Sequence, residues 1–201
     1  MFTGIITDVG RIRAVDRHGD ARVMFETAFD TAGIDLGASV ACSGVCLTVV
    51  DKGPGGDGGP GWFACDVSAE TLARSTASDW QAGTPVNLER SLKLGDELGG
   101  HLVYGHVDGV GTVQARTADG EAYRLTFNAP PELMRLIAVK GSIAVDGVSL
   151  TVNRAGAGDF EVTVIPHTLR VTTLGTSQPG TRVNLEIDML ARYVQRLLAK
   201  D

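Results

Sequence analysis

The sequence predicts an all-β chain of two tandem, duplicated modules, each closed into a small barrel, with a single helix at the C-terminal end. Three observations carry that reading. The stretch Gly44-Val45-Cys46-Leu47-Thr48-Val49 recurs as Gly147-Val148-Ser149-Leu150-Thr151-Val152, and residues 39–50 match residues 142–153 at seven of twelve positions. Each copy contains six short stretches of strand composition separated by Gly-containing turns, which suits a closed barrel because closure removes exposed sheet edges. After Asp188 the duplication stops and an apolar stripe of helical period begins.

The repeat extends through both modules. Glu70-Thr71-Leu72 recurs as His167-Thr168-Leu169, Val86-Asn87-Leu88-Glu89 as Val183-Asn184-Leu185-Glu186, and Thr3-Gly4 lies over Tyr104-Gly105. The boundaries expected are 1–97 for the first module, 98–188 for the second and 189–201 for the terminal helix.

In chain order, the first strand is expected over 2–12 and the second over 22–27, with Asp16-Arg17-His18-Gly19-Asp20 as the turn between them. Strands 39–43 and 45–51 hinge at Gly44, where Gly implies a bulge or a close backbone approach. Residues 53–61 hold six Gly and two Pro, the composition of a mobile hairpin tip. A strand over 62–67 follows, then a helix through Thr76 capped by Ser68, then a strand over 85–90. Residues 91–100 read as the linker. The second module repeats the order with strands at 102–114, 122–127, 142–146, 148–153, 160–165 and 182–187, and a helix over 132–138 opened by Pro130-Pro131. Met189, Leu190, Tyr193, Val194, Leu197 and Leu198 form the closing stripe. A helix of about three turns is marginal alone in water, so this stripe must pack on something, and oligomerisation is the favoured reading because the first module has no counterpart.

The formal charge of −6 and the absence of a basic cluster interleaved with aromatics argue against nucleic acid as a partner. No apolar run approaches the roughly 18 residues of a membrane span. Met1 aligns with Leu102, so the chain opens on the first strand of its module; no leader is expected and the expected location is cytoplasmic. Cys42, Cys46 and Cys65 are an odd number in one module without C-x-x-C spacing, which speaks against disulfides and zinc.

A duplicated binding wall implies two similar ligands, or one ligand with two similar halves. Together with the twin strands, Met1-Phe2-Thr3-Gly4-Ile5-Ile6, Gly99-Gly100-His101-Leu102, Gly105-His106-Val107, Ile165-Pro166-His167-Thr168-Leu169 and Val183-Asn184-Leu185-Glu186-Ile187-Asp188 closely resemble the riboflavin synthase family, from residue 1 to the C-terminal helix. The resemblance implies two tandem six-stranded Greek-key barrels plus a C-terminal α-helix, each barrel binding one 6,7-dimethyl-8-ribityllumazine. It also implies a homotrimer assembled by that helix, with active sites between the first barrel of one subunit and the second barrel of a neighbour. The implied reaction moves a four-carbon unit from one lumazine to the other, giving riboflavin and 5-amino-6-(ribitylamino)uracil, with no metal or redox cofactor. Lumazine synthase is a candidate partner.

The same resemblance implies catalytic positions at Phe2, Ser39, Cys46, His106, Ser149 and Asp188. Substrate contacts are implied at Gly4, Ile5 and Ile6; at Leu47 and Thr48 beside Cys46; at Asp66, Val67 and Ser68; and at Gly105 and Val107 beside His106. In the second module they fall on Lys140, on Leu150 and Thr151 beside Ser149, and on Ile165, Pro166, His167, Thr168, Leu169 and Arg170. His18 and His101 read as structural or surface residues. The two half-reactions need different groups, and Cys46 opposes Ser149, Ser43 opposes Asp146 and Asp188 opposes Ser91. The expected rival is a non-catalytic lumazine or flavin antenna protein on the same duplicated barrel. Retention of Phe2, Cys46, His106, Ser149 and Asp188 favours the enzyme. A flavin-reductase-like barrel would need a nicotinamide-binding region, and no G-x-G-x-x-G lies between a strand and a helix.

Overall fold

The computed structural model describes residues 1–199, so the last two residues of the expected 189–201 segment lie outside the described residues. Strands β1 (Asp8–His18), β2 (Asp20–Thr27), β3 (Ser39–Cys42), β4 (Val45–Gly53), β5 (Gly61–Val67) and β6 (Pro85–Arg90) close into an antiparallel barrel in the order β1-β2-β5-β4-β3-β6. Strands β7 (Gly109–Asp119), β8 (Ala122–Asn128), β9 (Ser142–Val145), β10 (Val148–Ala155), β11 (Asp159–Val164) and β12 (Arg182–Ile187) close in the same cyclic order, β10-β11-β8-β7-β12-β9. The helices are α1 (Ala69–Arg74), α2 (Pro131–Met134), α3 (Pro166–Val171) and α4 (Met189–Leu198).

The duplicated sequence folds in duplicate because it repeats both packing and turns. Phe25 stacks on Phe63 at 5.0 Å in the first core, and Phe127 stacks on Phe160 at 5.3 Å in the second. Cys42 pairs with Val45 around Ser43 and Gly44, both at positive φ, and Val145 pairs with Val148 around Asp146 and Gly147, also both at positive φ. Two successive left-handed residues make the two-residue hairpin whose twist matches the strands.

The same hairpins meet at a pseudo-two-fold axis. A Cβ on Gly44 would stand 2.7 Å from the Gly147 nitrogen, and one on Gly147 would stand 2.8 Å from the Gly44 nitrogen, so glycine is required for closeness as well as for φ. The repeated asparagines seal the contact reciprocally. Asn87 Nδ2 donates to Asp146 O at 2.9 Å and Asn184 Nδ2 to Ser43 O at 2.8 Å. Their carbonyl oxygens accept from Thr173 N at 2.8 Å and Thr76 N at 2.7 Å.

Several expected boundaries move. The strands expected over 2–12 and 102–114 begin instead at Asp8 and Gly109. Phe2 and Ile6 are apolar because they pack across onto the other module, Ile6 in its core and Phe2 beside Val103 and Ala144, and Gly4 and Gly105, at φ 75° and 74°, turn the leading segments away from the barrels. The turn expected over 16–20 shrinks to Gly19, since His18 still pairs with Asp20. Ser68 caps α1 as expected, accepting from Thr71 N at 3.2 Å, but the helix ends at Arg74 because Ser75 is extended and caps a new short turn. The helix expected over 132–138 is the single turn α2, with proline at its start. Helix α3, the counterpart of α1, forms over the Ile165-Pro166-His167-Thr168-Leu169 motif, for which no helix was expected; Pro166 opens it.

Candidate active site

Each module lends its leading segment to the other. Ser149 N donates to Gly4 O at 2.8 Å, and Cys46 N donates to Gly105 O at 2.9 Å, so the duplicated Cys/Ser position always faces the duplicated glycine of the opposite module. The fit leaves no room for a side chain, because a Cβ on Gly4 would meet Ser149 Cβ at 2.5 Å and one on Gly105 would meet Cys46 Cβ at 2.6 Å. Two buried carboxylates fix the segments. Glu89 accepts from Thr3 N and Gly4 N, and Glu186 from Tyr104 N, Gly105 N and His106 N. Burial raises both carboxyls above their ordinary value, and the N–H donors pull them back down.

Two clefts result. The first, of about 370 Å³, is lined by Cys46, Glu70, Thr71 and Arg74 of the first module and by His106 and Val107 of the second. The second, of about 410 Å³, is lined by Ile6 and Thr7 of the first module and by His167, Arg170 and Val171 of the second. Equivalent walls therefore carry different chemistry. Glu70 and Arg74 form an i,i+4 pair at 2.9 Å, whereas their counterparts are His167 and Val171, with Arg170 supplying the cation. Both clefts fall within the size range of small-molecule sites.

The thiols differ sharply. Burial pushes Cys42 well above the ordinary thiol range and Cys65 up to about 12, while Cys46 alone among the three is partly exposed. A second polar cluster forms around Ser149, whose Oγ lies 2.7 Å from His101 Nδ1. Burial lowers the His101 pKa and the nearby Asp188 charge opposes that shift. Asp188 also caps α4, accepting from Leu190 N at 2.9 Å, so one carboxylate serves both the helix and the cluster. Reading His101 as structural or surface misses this contact. The neighbouring Gly100 packs on the same residue, since a Cβ there would stand 2.8 Å from Ser149 Cβ.

The other expected residues take varied places. Phe2 is fully buried with Ala41, Val103 and Ala144, and Cys46 packs against this group, so its ring backs the wall. Leu47, Val67 and Leu150 point into the barrel cores, leaving only their backbone for a ligand. Thr48 and Thr151 are exposed on β4 and β10; Ser39 pairs with Thr48 and accepts from Ser91 Oγ at 2.7 Å through its carbonyl. Asp66 is exposed, 3.9 Å from Arg22, and Ser68 is occupied as a cap. Ile5, Ile165, His167 and Arg170 are exposed, Pro166 and Thr168 half-buried, and Leu169 packs on the second core. Lys140 is exposed at φ 67°, where the first module has Gly37 at φ 86°. Within one chain Cys46 and His106 line the first cleft, while Ser149 joins His101 beside Asp188.

The Lumazine binding domain model matches residues 3–91 and again 104–188. Along its length the chain is 52% identical over 198 residues to riboflavin synthase of Brucella abortus (strain 2308), covering 98% of each. The chain belongs to the riboflavin synthase family. Within that family it is also 45% identical over 202 residues to riboflavin synthase of Mycobacterium tuberculosis (strain ATCC 25618 / H37Rv), covering 98% of each. Among solved structures it is similar to LumP complexed with riboflavin, with a TM-score of 0.80 at 25% identity, over 93% of this chain and 99% of that one. LumP complexed with 6,7-dimethyl-8-(1'-D-ribityl) lumazine gives a TM-score of 0.78 at 24% identity and shares the fold. Among the described residues no group of three or more His, Cys, Asp or Glu is placed to hold a metal, and no helix is long and apolar enough to cross a membrane.

Proposed function

We propose that the protein is a riboflavin synthase that converts two 6,7-dimethyl-8-ribityllumazines into riboflavin and 5-amino-6-(ribitylamino)uracil. The observation that carries this reading is a pair of pseudo-symmetric clefts with unlike polar groups, in a chain 52% identical to a riboflavin synthase over 98% of its length. A dismutation needs two copies of one molecule held in opposed orientation, and it needs one of them treated differently from the other. The duplicated barrel meets the first need, and the exchanges of Cys46 for Ser149 and Glu70-Arg74 for His167-Val171 meet the second. Orienting two reactants contributes up to about 7–11 kcal/mol.

The C7 methyl of one lumazine must lose a proton to give a carbanion delocalised over the heterocycle. His101, whose pKa burial lowers and which is hydrogen-bonded to Ser149, has the character of the base, and Asp188 would stabilise the imidazolium that forms. Cys46 and His106 in the first cleft serve attack and proton transfer on the acceptor, with the half-buried Ser39 and the exposed Thr48 and Thr151 on the neighbouring strands as polar partners. Because these groups lie in two places in one chain, a complete site brings the Cys46–His106 cleft of one subunit to the His101–Ser149–Asp188 cluster of another. The stripe on α4 supports a homotrimer: Leu190, Tyr193 and Leu197 are 74%, 63% and 83% exposed. Arg192 holds the helix to its own barrel through Asp108 at 2.8 Å, which leaves that stripe outward. The cytoplasm is the proposed location, and lumazine synthase, which supplies the substrate, the candidate partner.

The test is incubation with 6,7-dimethyl-8-ribityllumazine as the only substrate. Riboflavin formation supports the enzyme. Bound lumazine without riboflavin supports the antenna alternative, the weaker reading given that LumP is only 24–25% identical.

A further inference from the structure

The paired glutamates at the ends of β6 and β12 are charged residues whose function the reaction does not absorb. Glu89 is 5% and Glu186 3% exposed, and each carboxylate faces donors from one segment of its own module. Glu186 Oε1 accepts from Tyr104 N at 2.7 Å, and its Oε2 accepts from Gly105 N at 2.8 Å and His106 N at 3.0 Å. Glu89 Oε1 accepts from Thr3 N and Thr3 Oγ1, both at 2.7 Å, and its Oε2 from Gly4 N at 2.9 Å. Three successive amides converging on one carboxylate set the path of a segment that has left the barrel sheet. Charge-assisted bonds of this kind are about twice as strong as neutral ones.

We infer that Glu186 and Glu89 are positioning residues for the two clefts, Glu186 for the wall carrying Gly105 and His106, and Glu89 for the segment whose Gly4 and Ile5 lead into the wall residues Ile6 and Thr7. The inference rests on the synthase reading for its kinetic readout. The two are not interchangeable. Where the first module has Thr3, whose hydroxyl passes the contact on to Ile5 N at 3.2 Å, the second has Tyr104, and the Glu186 carboxylate reaches the His106 amide itself. The orientation of His106 against Cys46 is therefore set directly by Glu186. Loss of that anchor moves a reacting group while leaving the barrel ladder intact.

Glu186→Gln is the test, since its NH2 would face a peptide N–H in place of a carboxylate oxygen. Assayed on lumazine well below its melting temperature, and normalised to folded protein, E186Q should lose at least about tenfold in kcat, a loss expected of a small misplacement. Glu186→Asp, which keeps the charge on a shorter arm, should lose less. By amide hydrogen exchange, the Gly105 and His106 N–H groups of the wild type should be as protected as β-ladder amides, and should exchange at least about tenfold faster in E186Q. A melting temperature that falls while kcat per folded site stays unchanged overturns the inference, because the role would then be structural. So does fast exchange at Gly105 and His106 in the wild type, which decides the matter if E186Q does not fold. If the wild type makes no riboflavin, the synthase reading fails by itself, and riboflavin binding with the same exchange measurement still tests the anchor.

Discussion

Phe2 and Val103, equivalent positions of the duplicated sequence, bond to each other. Phe2 N donates to Val103 O at 2.7 Å and Val103 N to Phe2 O at 3.0 Å. This small antiparallel bridge is where the two exchanged segments meet, and the Phe2 ring, fully buried beside Ala41 and Ala144, fills the space behind Cys46. Phe2→Ala should therefore destabilise by about 3–5 kcal/mol, on the order of 10 °C in melting temperature. It should also lower turnover per folded molecule by at least about tenfold, because both Gly4 and Gly105 lose their support. Calorimetry with steady-state assays checks this; a lower melting temperature with unchanged turnover would mean that the exchanged segments do not form the working walls.

Among the three thiols, burial pushes Cys42 and Cys65 far above the ordinary range, so neither supplies a thiolate near neutral pH. Iodoacetamide on the folded protein should label Cys46 and leave the other two, read by peptide mass mapping. Cys42→Ser should keep turnover within about twofold, whereas Cys46→Ala should cost at least about tenfold. Equal effects of the two substitutions would remove Cys46 from the chemistry.

Asp146 stands where the first module has Ser43, accepting from Asn184 N at 2.8 Å as Ser43 accepts from Asn87 N at 3.2 Å. Burial raises its pKa from 3.8 to about 7, with the Asn184 N–H opposing. The folded pKa lies above the unfolded one, so the folded state holds this proton more tightly; the associated stability is present below about pH 4 and is lost as pH rises to about 7. Asp146→Asn keeps the acceptor, tolerates the positive φ and removes the charge. Its melting temperature should exceed the wild type by several degrees at pH 8, on the order of 5 °C, and match it near pH 4. Parallel pH profiles for the two proteins would contradict this.

The exposed stripe of α4 gives a fourth expectation. Leu197→Glu should convert the proposed trimer into monomers by sedimentation velocity, and activity should fall with it, because the proposed site draws on two subunits. A wild-type monomer with full activity would contradict the assembly, and so would a trimer indifferent to the charge.

The barrels were legible in the sequence because each strand, turn and aromatic pair occurs twice, and a repeated pattern is stronger than any single one. The strand starts were not, because Phe2, Ile5 and Ile6 suit either a strand or a segment packed on another module. Period alone does not separate the two. Cys46 and His106 could be named from their motifs, and they share a cleft. His101 could not, since its partner Ser149 lies 48 residues away and the hydrogen bond exists only after the modules dock. Glu89 and Glu186 were visible as a repeat but not as anchors. A charged residue at a strand end reads as solvated, and their burial is tertiary in origin.

The measurement that reaches the central claim most directly is the stoichiometry of conversion by the purified protein, with 6,7-dimethyl-8-ribityllumazine alone and both lumazine loss and riboflavin gain followed by absorbance. The account predicts two lumazines consumed for each riboflavin formed, with 5-amino-6-(ribitylamino)uracil as the other product. Tight binding of lumazine without any riboflavin would contradict it and leave the clefts as a binding site alone.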